Sequence, residues 1–162
     1  MMDQFLAFSS EVTAFTTLEL RGTGMAQAYF ETVSNVVGAP ILYELLTRYT
    51  AIEGKGLARK EALRREIFAD QKLGSIARNI IKLWYIGIWE PLPRVWTEEY
   101  GPIANNNGFT VSANAYREGL LWHAIGAPPP GAKAPGYASW TFPPNVRRAS
   151  ESSQASDELS SN

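Results

Sequence analysis

The chain contains no cysteine. That excludes disulfides, thiolate metal ligands, a cysteine nucleophile and protein-held iron–sulfur clusters. Histidine is nearly as scarce: His123 is the only one, too few for a histidine-rich metal site. No run of ~18 apolar residues occurs, so no direct membrane span is expected. Nor does charge of one sign dominate. Lys plus Arg number 15 and Asp plus Glu 16, which removes the electrostatic motive for binding nucleic acid or an anionic membrane. The opening carries Asp3 and no basic residue before Arg21, whereas a secretory signal needs a basic start and a longer apolar run. The paired arginines, Arg64-Arg65 and Arg147-Arg148, stand far from the start. The expectation as written is a cytoplasmic protein, or a periplasmic one if a twin-arginine signal has been removed.

What is present is an apolar fraction of 45% in 162 residues, which suits one globular domain able to bury roughly two-thirds of its unfolded surface. The first two-thirds of the chain reads as helix. Asp3 is placed to cap a helix bearing Phe5, Phe8, Val12 and Phe15 at three-and-four spacing. Thr23 is placed to cap a second, with Met25, Ala28, Tyr29, Thr32, Val33 and Val36 on its face. Pro40 suits the first turn of a third, carrying Ile41, Leu42, Leu45, Leu46 and Tyr49. Glu53-Gly54-Lys55-Gly56 reads as a turn, and residues 58–68 as a charged helix with Glu61 and Arg65 one turn apart. The most apolar helix follows, from Leu73 through Trp84 to Trp89. Its end is apolar all round and should be buried in the domain or under a partner. Pro91 and Pro93 are expected to stop it. Residues 90–110 read as loop, and Ser112 as the cap of a last helix through Ala124.

After that the chain is rich in Pro and Gly and holds Tyr137, Trp140 and Phe142. Such a stretch cannot be helix or central strand, yet aromatics are costly to leave in water. An extended arm laid over a surface satisfies both facts. The fold class expected is all-α: a helical domain of about five to six helices over 1–125, an aromatic and proline arm over 126–145, and a disordered tail over 146–162.

Candidate chemistry is thin. His123 lies near the end of a helix and reads as structural or surface-exposed, although it could pair with an acid such as Glu118 in a self-contained enzyme. Glu98-Glu99 reads as a solvated loop pair. Gly22-Thr23-Gly24 and Gly54-Lys55-Gly56 lack the strand and the later Gly-Lys of a phosphate loop, so both read as turns. Arg59, Lys60, Arg64 and Arg65 form a basic patch, either a solvated helix face or a dock for an acidic partner. No residue is assigned to catalysis, to a cofactor or to a metal. The aromatics carry more information. Trp84, Tyr85, Trp89, Trp96, Trp122, Tyr137, Trp140 and Phe142 crowd the second half of the chain. About half of them should be core. The others, at helix ends and in the arm, have the character of interface anchors. Residue types alone leave open a scaffold or binding protein for an unrelated partner.

The segment Phe5-Leu6-Ala7-Phe8-Ser9-Ser10-Glu11-Val12-Thr13-Ala14-Phe15 resembles the F-L-x-L-S-x-x-L-T-G opening of the small subunits of membrane-bound, flavin-containing sorbitol, glucose and fructose dehydrogenases. Trp84-Tyr85-Ile86-Gly87, within Ile80–Ile88, resembles their W-Y-x-G motif. Val111–Ala124, followed by Pro135-Gly136-Tyr137 and Trp140, resembles their final helix and P-G-Y-W ending. The resemblance covers about residues 5–144. It implies a mainly helical, cofactor-free accessory subunit. The expected partner is a large subunit of the glucose-methanol-choline oxidoreductase type, in a heterodimer or larger hetero-oligomer. That large subunit holds the FAD and the catalytic histidine. Many members also carry a twin-arginine signal and work with a cytochrome subunit. The signal is not found here, so a cytochrome partner is not expected.

Overall fold

Helices form where apolar residues recur every three or four positions, and several of them end at a residue with positive φ. In a computed structural model describing residues 1–103 and 106–130, the fold is all-α apart from one two-stranded ribbon. The chain divides into two compact units, 1–119 and 120–162.

Helix α1 (Met2–Thr13) buries Phe5, Leu6, Phe8, Ser9 and Thr13. Asp3 does not cap it. The N-cap is Met1, and Asp3 in the first turn pairs instead with Arg21, at 2.7 Å. A short helix not expected from the sequence follows, α2 (Thr17–Gly22). It is set by a capping box. The Thr16 hydroxyl accepts from the Glu19 amide at 3.2 Å, and the Glu19 carboxylate accepts from the Thr16 amide at 2.7 Å. Thr23 does not cap α3 (Ala26–Val37), whose N-cap is Met25. Its hydroxyl donates to the Leu20 carbonyl at 2.7 Å and accepts from the Met25 amide at 3.1 Å, closing the corner between α2 and α3. Gly38, at φ 86°, separates α3 from α4 (Ala39–Ala51), where Pro40 occupies the first turn as expected.

The charged segment is α5 (Gly56–Leu63), which runs directly into a π-helical turn, Arg64–Phe68. Arg65 pairs with its neighbour Glu66 at 2.8 Å. The corner into α6 (Leu73–Ile86) is built on Asp70. One carboxylate oxygen accepts from the amides of Lys72 and Leu73 at 2.9 and 2.8 Å, and the other from Arg48 of α4 at 2.7 Å. Glu44 completes the cluster, with Lys72 at 2.6 Å and Arg48 at 3.2 Å. Burial pushes the Asp70 carboxyl up, but these hydrogen bonds and the Arg48 charge outweigh it and hold it below its ordinary value.

Helix α6 is the central element. It packs against α1, α3, the π turn and the ribbon, and buries Ile76, Ala77, Ile80, Leu83 and Trp84. The prolines do not stop it. Gly87 does, in the left-handed conformation at φ 69°, and the chain enters β1 (Ile88–Trp89) before Pro91 is reached. β1 pairs antiparallel with β2 (Phe109–Thr110), Ile88 opposite Thr110 and Trp89 opposite Phe109. The stretch expected to be loop also contains α7 (Arg94–Tyr100). Glu98 and Glu99 therefore sit on a helix, and Glu98 binds Arg94 at 2.7 Å. Pro93 leads directly into the first turn of α7, the same positional logic as Pro40.

Two asparagines hold the proline segment to its surroundings. The buried Asn79 side chain exchanges hydrogen bonds with the backbone of Glu90, both at 3.0 Å, and Asn106 does the same with Leu92 at 2.7 and 2.8 Å. Each amide imitates a strand partner for a chain that its prolines leave short of donors. Ser112 caps as expected, accepting from the Ala115 amide at 3.0 Å. The helix it caps is short, α8 (Ala113–Arg117). The single helix expected through Ala124 is two, with Glu118 and Gly119 between them. In the second unit, α9 (Leu120–Ile125) ends at Gly126, φ 65°. The amides of Gly126 and Ala127 return to the carbonyls of His123 and Trp122 at 3.3 and 3.0 Å. The arm beyond residue 130, with Tyr137, Trp140 and Phe142, and the tail over 146–162 lie outside the described residues. Among the described residues no helix is long and apolar enough to cross a membrane.

Candidate functional site

Phe5, Tyr29 and Trp84 are each at most 1% exposed, and they meet where α1, α3 and α6 pack together. The Tyr29 and Trp84 rings stand edge to face at 4.9 Å, and Phe5 lies 6.3 Å from Trp84. Three segments separated along the chain converge beside this cluster: the end of α1, the end of α6, and α8.

The end of α1 is shaped by Thr13 and Ala14. Thr13 is buried, and its hydroxyl donates to the Ser9 carbonyl at 2.7 Å. Ala14 closes the helix at φ 61°, ψ 23°, its amide donating to the Ser10 carbonyl. It is a non-glycine residue in the left-handed region, the position where the F-L-x-L-S-x-x-L-T-G pattern places glycine. A Cβ there costs roughly 1 kcal/mol or more, so glycine is the unstrained choice.

The end of α6 meets it directly. The Tyr85 hydroxyl donates to the Thr13 carbonyl at 3.0 Å, satisfying a helix-terminal acceptor. The Tyr85 ring lies edge-on to Phe15 at 6.2 Å. Two residues on, Gly87 is required twice over. Its φ is 69°, and a Cβ there would stand 2.7 Å from Ala115 of α8. The Gly87 carbonyl accepts from the Val111 amide at 3.0 Å. Gly119 makes the reciprocal approach, since a Cβ on it would lie 2.6 Å from the Tyr85 carbonyl. Thr13, Tyr85, Gly87, Ala115 and Gly119 thus lock three chain segments into one junction.

The electrostatics here are quiet. The Tyr29 phenol is held well above its ordinary value, first by burial and second by the nearby charge of Glu118. The Ser9 hydroxyl, the Tyr29 hydroxyl and the indole N–H groups of Trp84 and Trp89 are buried without a hydrogen-bond partner. Such groups lower stability and offer no proton relay to solvent.

The aromatics expected at an interface divide. Trp84, Trp89 and Trp96 are 1%, 0% and 3% exposed, so their surface is taken up by the chain's own core. The Trp96 indole donates to the Lys72 carbonyl at 2.8 Å, tying α7 to the start of α6. Tyr85 and Trp122 are half-buried and keep some outward surface. Tyr137, Trp140 and Phe142 fall outside the described residues. Large apolar side chains that do face solvent are others: Leu18 at 79%, Leu57 at 72%, Val95 at 67% and Tyr43 at 58%. Leu18 and Val95 stand on α2 and α7, two helices that sequence periodicity does not reveal. An apolar residue on an unrecognised element cannot be assigned a face.

His123 is exposed on α9. Among the described residues no group of three or more His, Asp or Glu side chains is arranged to hold a metal ion. In the basic patch, Lys60, Arg64 and Arg65 are exposed, while Arg59 is half-buried and turned inward onto Glu11. The junction of Thr13, Tyr85, Gly87, Ala115 and Gly119 organises packing. No family model, curated protein or solved structure matches the chain.

Proposed function

We propose that this chain is a non-catalytic accessory subunit. It binds a large FAD-dependent dehydrogenase of the glucose-methanol-choline type and supports that subunit's folding or activity. The flavin belongs to the partner, and the reaction of the complex is hydride removal from a carbinol carbon of a sugar or alcohol, with flavin as acceptor. The observation that carries the reading is the Tyr85–Thr13 hydrogen bond. It joins two of the three sequence patterns on which the resemblance rests, and Ala14 and Gly87 occupy left-handed positions where those two patterns carry glycine. The residues behind the resemblance therefore share a physical role, which is to hold α1, α6 and α8 together. Half-buried Tyr85 and Trp122 and the aromatic arm beyond residue 130 are the surfaces this reading gives to the partner.

The test is affinity purification of the chain from its native cells, with absorbance spectra and mass analysis of what accompanies it. The reading expects a large chain with flavin absorbance in fixed stoichiometry. A colourless stoichiometric partner makes it a scaffold for something else and overturns the proposal.

A further inference from the structure

Helix α5 is attached differently from its neighbours. Leu63 is buried, but the rest of the helix is half-buried or exposed, and Leu57 is 72% exposed. A helix of 8 residues does not hold itself in water, so its order comes from its attachments. It is entered through Gly54 and Gly56, both left-handed at φ 99° and 57°, and left through the π turn Arg64–Phe68. The glycines make the entry easy to reshape, and the π turn is anchored to the core through buried Ile67, so it is where a moving α5 would meet a fixed structure.

Between those ends one side chain gathers the polar ties. Arg59 Nε lies 2.8 and 2.9 Å from the two carboxylate oxygens of Glu11 on α1. Its Nη1 donates to the carbonyl of Ile52, just past α4. The guanidinium lies over the Tyr49 ring, 5.2 Å from the centroid. The Tyr49 hydroxyl donates to the same Glu11 carboxylate at 2.9 Å. Arg59 thus fastens α5 to α1 and α4 together.

We infer that α5 is a latched flap. It opens as a unit about Gly54–Gly56 and the π turn while α1, α4 and α6 stay folded, and Arg59 is the latch. Opening withdraws the guanidinium from Glu11 and Tyr49. What it uncovers is the Glu11 carboxylate and the Ile52 carbonyl beside the Tyr49 ring. Regions with few buried apolar contacts open at lower free energy than the core, which gives the motion its physical basis.

Amide hydrogen exchange on the full chain, resolved by segment, tests this. In the unmodified protein the amides of 58–63 should be less protected than those of Ile76–Leu83, with opening weakly dependent on denaturant. Arg59→Gln should speed exchange in 58–63 by about tenfold or more, the size expected when a hydrogen-bonded charge pair is broken, and leave α6 unchanged. Glu11→Gln should do the same without altering α5 itself. Exchange of α5 in step with α6, or equal acceleration of both segments by either variant, overturns the proposal. So does global unfolding of Arg59→Gln, because Arg59 would then hold the whole fold and not a flap.

Discussion

Ala14 and Tyr29 show how much of the molecule's stability turns on single backbone angles and single buried atoms. Ala14 carries a steric cost at φ 61° on an exposed helix end. Ala14→Gly should therefore raise stability by about 1 kcal/mol despite the extra freedom of the unfolded chain, read as a higher denaturation midpoint with an unchanged denaturant slope. Tyr29 buries a hydroxyl without a partner. Tyr29→Phe should be neutral or stabilising by up to about 1 kcal/mol near neutral pH. Its phenol titrates above the ordinary value in the fold. The stability tied to the neutral phenol is thus fully present below about pH 10, the unfolded value, and is lost as pH rises from there. The alkaline limb of a stability–pH curve should flatten in Tyr29→Phe, and an unchanged limb would place the alkaline sensitivity elsewhere.

At the scale of elements, the ends decide the fold more than the middles. The long helices were legible because Phe5, Leu42, Ile80 and their neighbours repeat at helical spacing, and burial follows that spacing. Their boundaries were less so. Asp3 and Thr23 have capping side chains but commit them to Arg21 and to the α2–α3 corner, and only tertiary neighbours reveal that choice. α2 and α7 are too short to show a period, although the Thr16–Glu19 box and Pro93 were visible start signals. Gly87, not the prolines, ends α6 by turning left-handed, and α8 approaches it too closely for any side chain. Gly87→Ala should accordingly be severely destabilising, by roughly 3 kcal/mol or more, from φ strain and overpacking together. Thermal unfolding within a degree of the parent would contradict the junction. Asp70 ties three elements at one corner, and its lowered titration means that its contribution is present above about pH 4 and is lost as pH falls through the folded value. The stability deficit of Asp70→Asn should shrink steadily below that pH. A deficit independent of pH would mean the carboxylate charge is not what holds the corner.

For the whole molecule, the tryptophans mark the limit of a one-dimensional reading. Density along the chain grouped Trp84, Trp89 and Trp96 with five other aromatics, about half of them expected in the core, and folding turns these three inward. Which aromatics remain outside is decided by how α6, the ribbon and α7 wrap one another, and no periodicity encodes that. The site was legible only as motifs; that Thr13 and Tyr85 bond across the core was not. An accessory subunit contributes surface and not chemistry. On the proposed reading, His123→Ala should leave turnover of an assembled complex within a few-fold of the parent, where loss of a general base costs ~10²–10⁴-fold. The most direct measurement is the yield and turnover of the flavin-loaded large subunit, expressed with and without this chain. The chain should raise the yield of soluble, flavin-loaded partner, while turnover per assembled complex is the same with the parent chain and with His123→Ala. Equal yield without the chain, or dehydrogenase turnover by the chain alone, would contradict the accessory role.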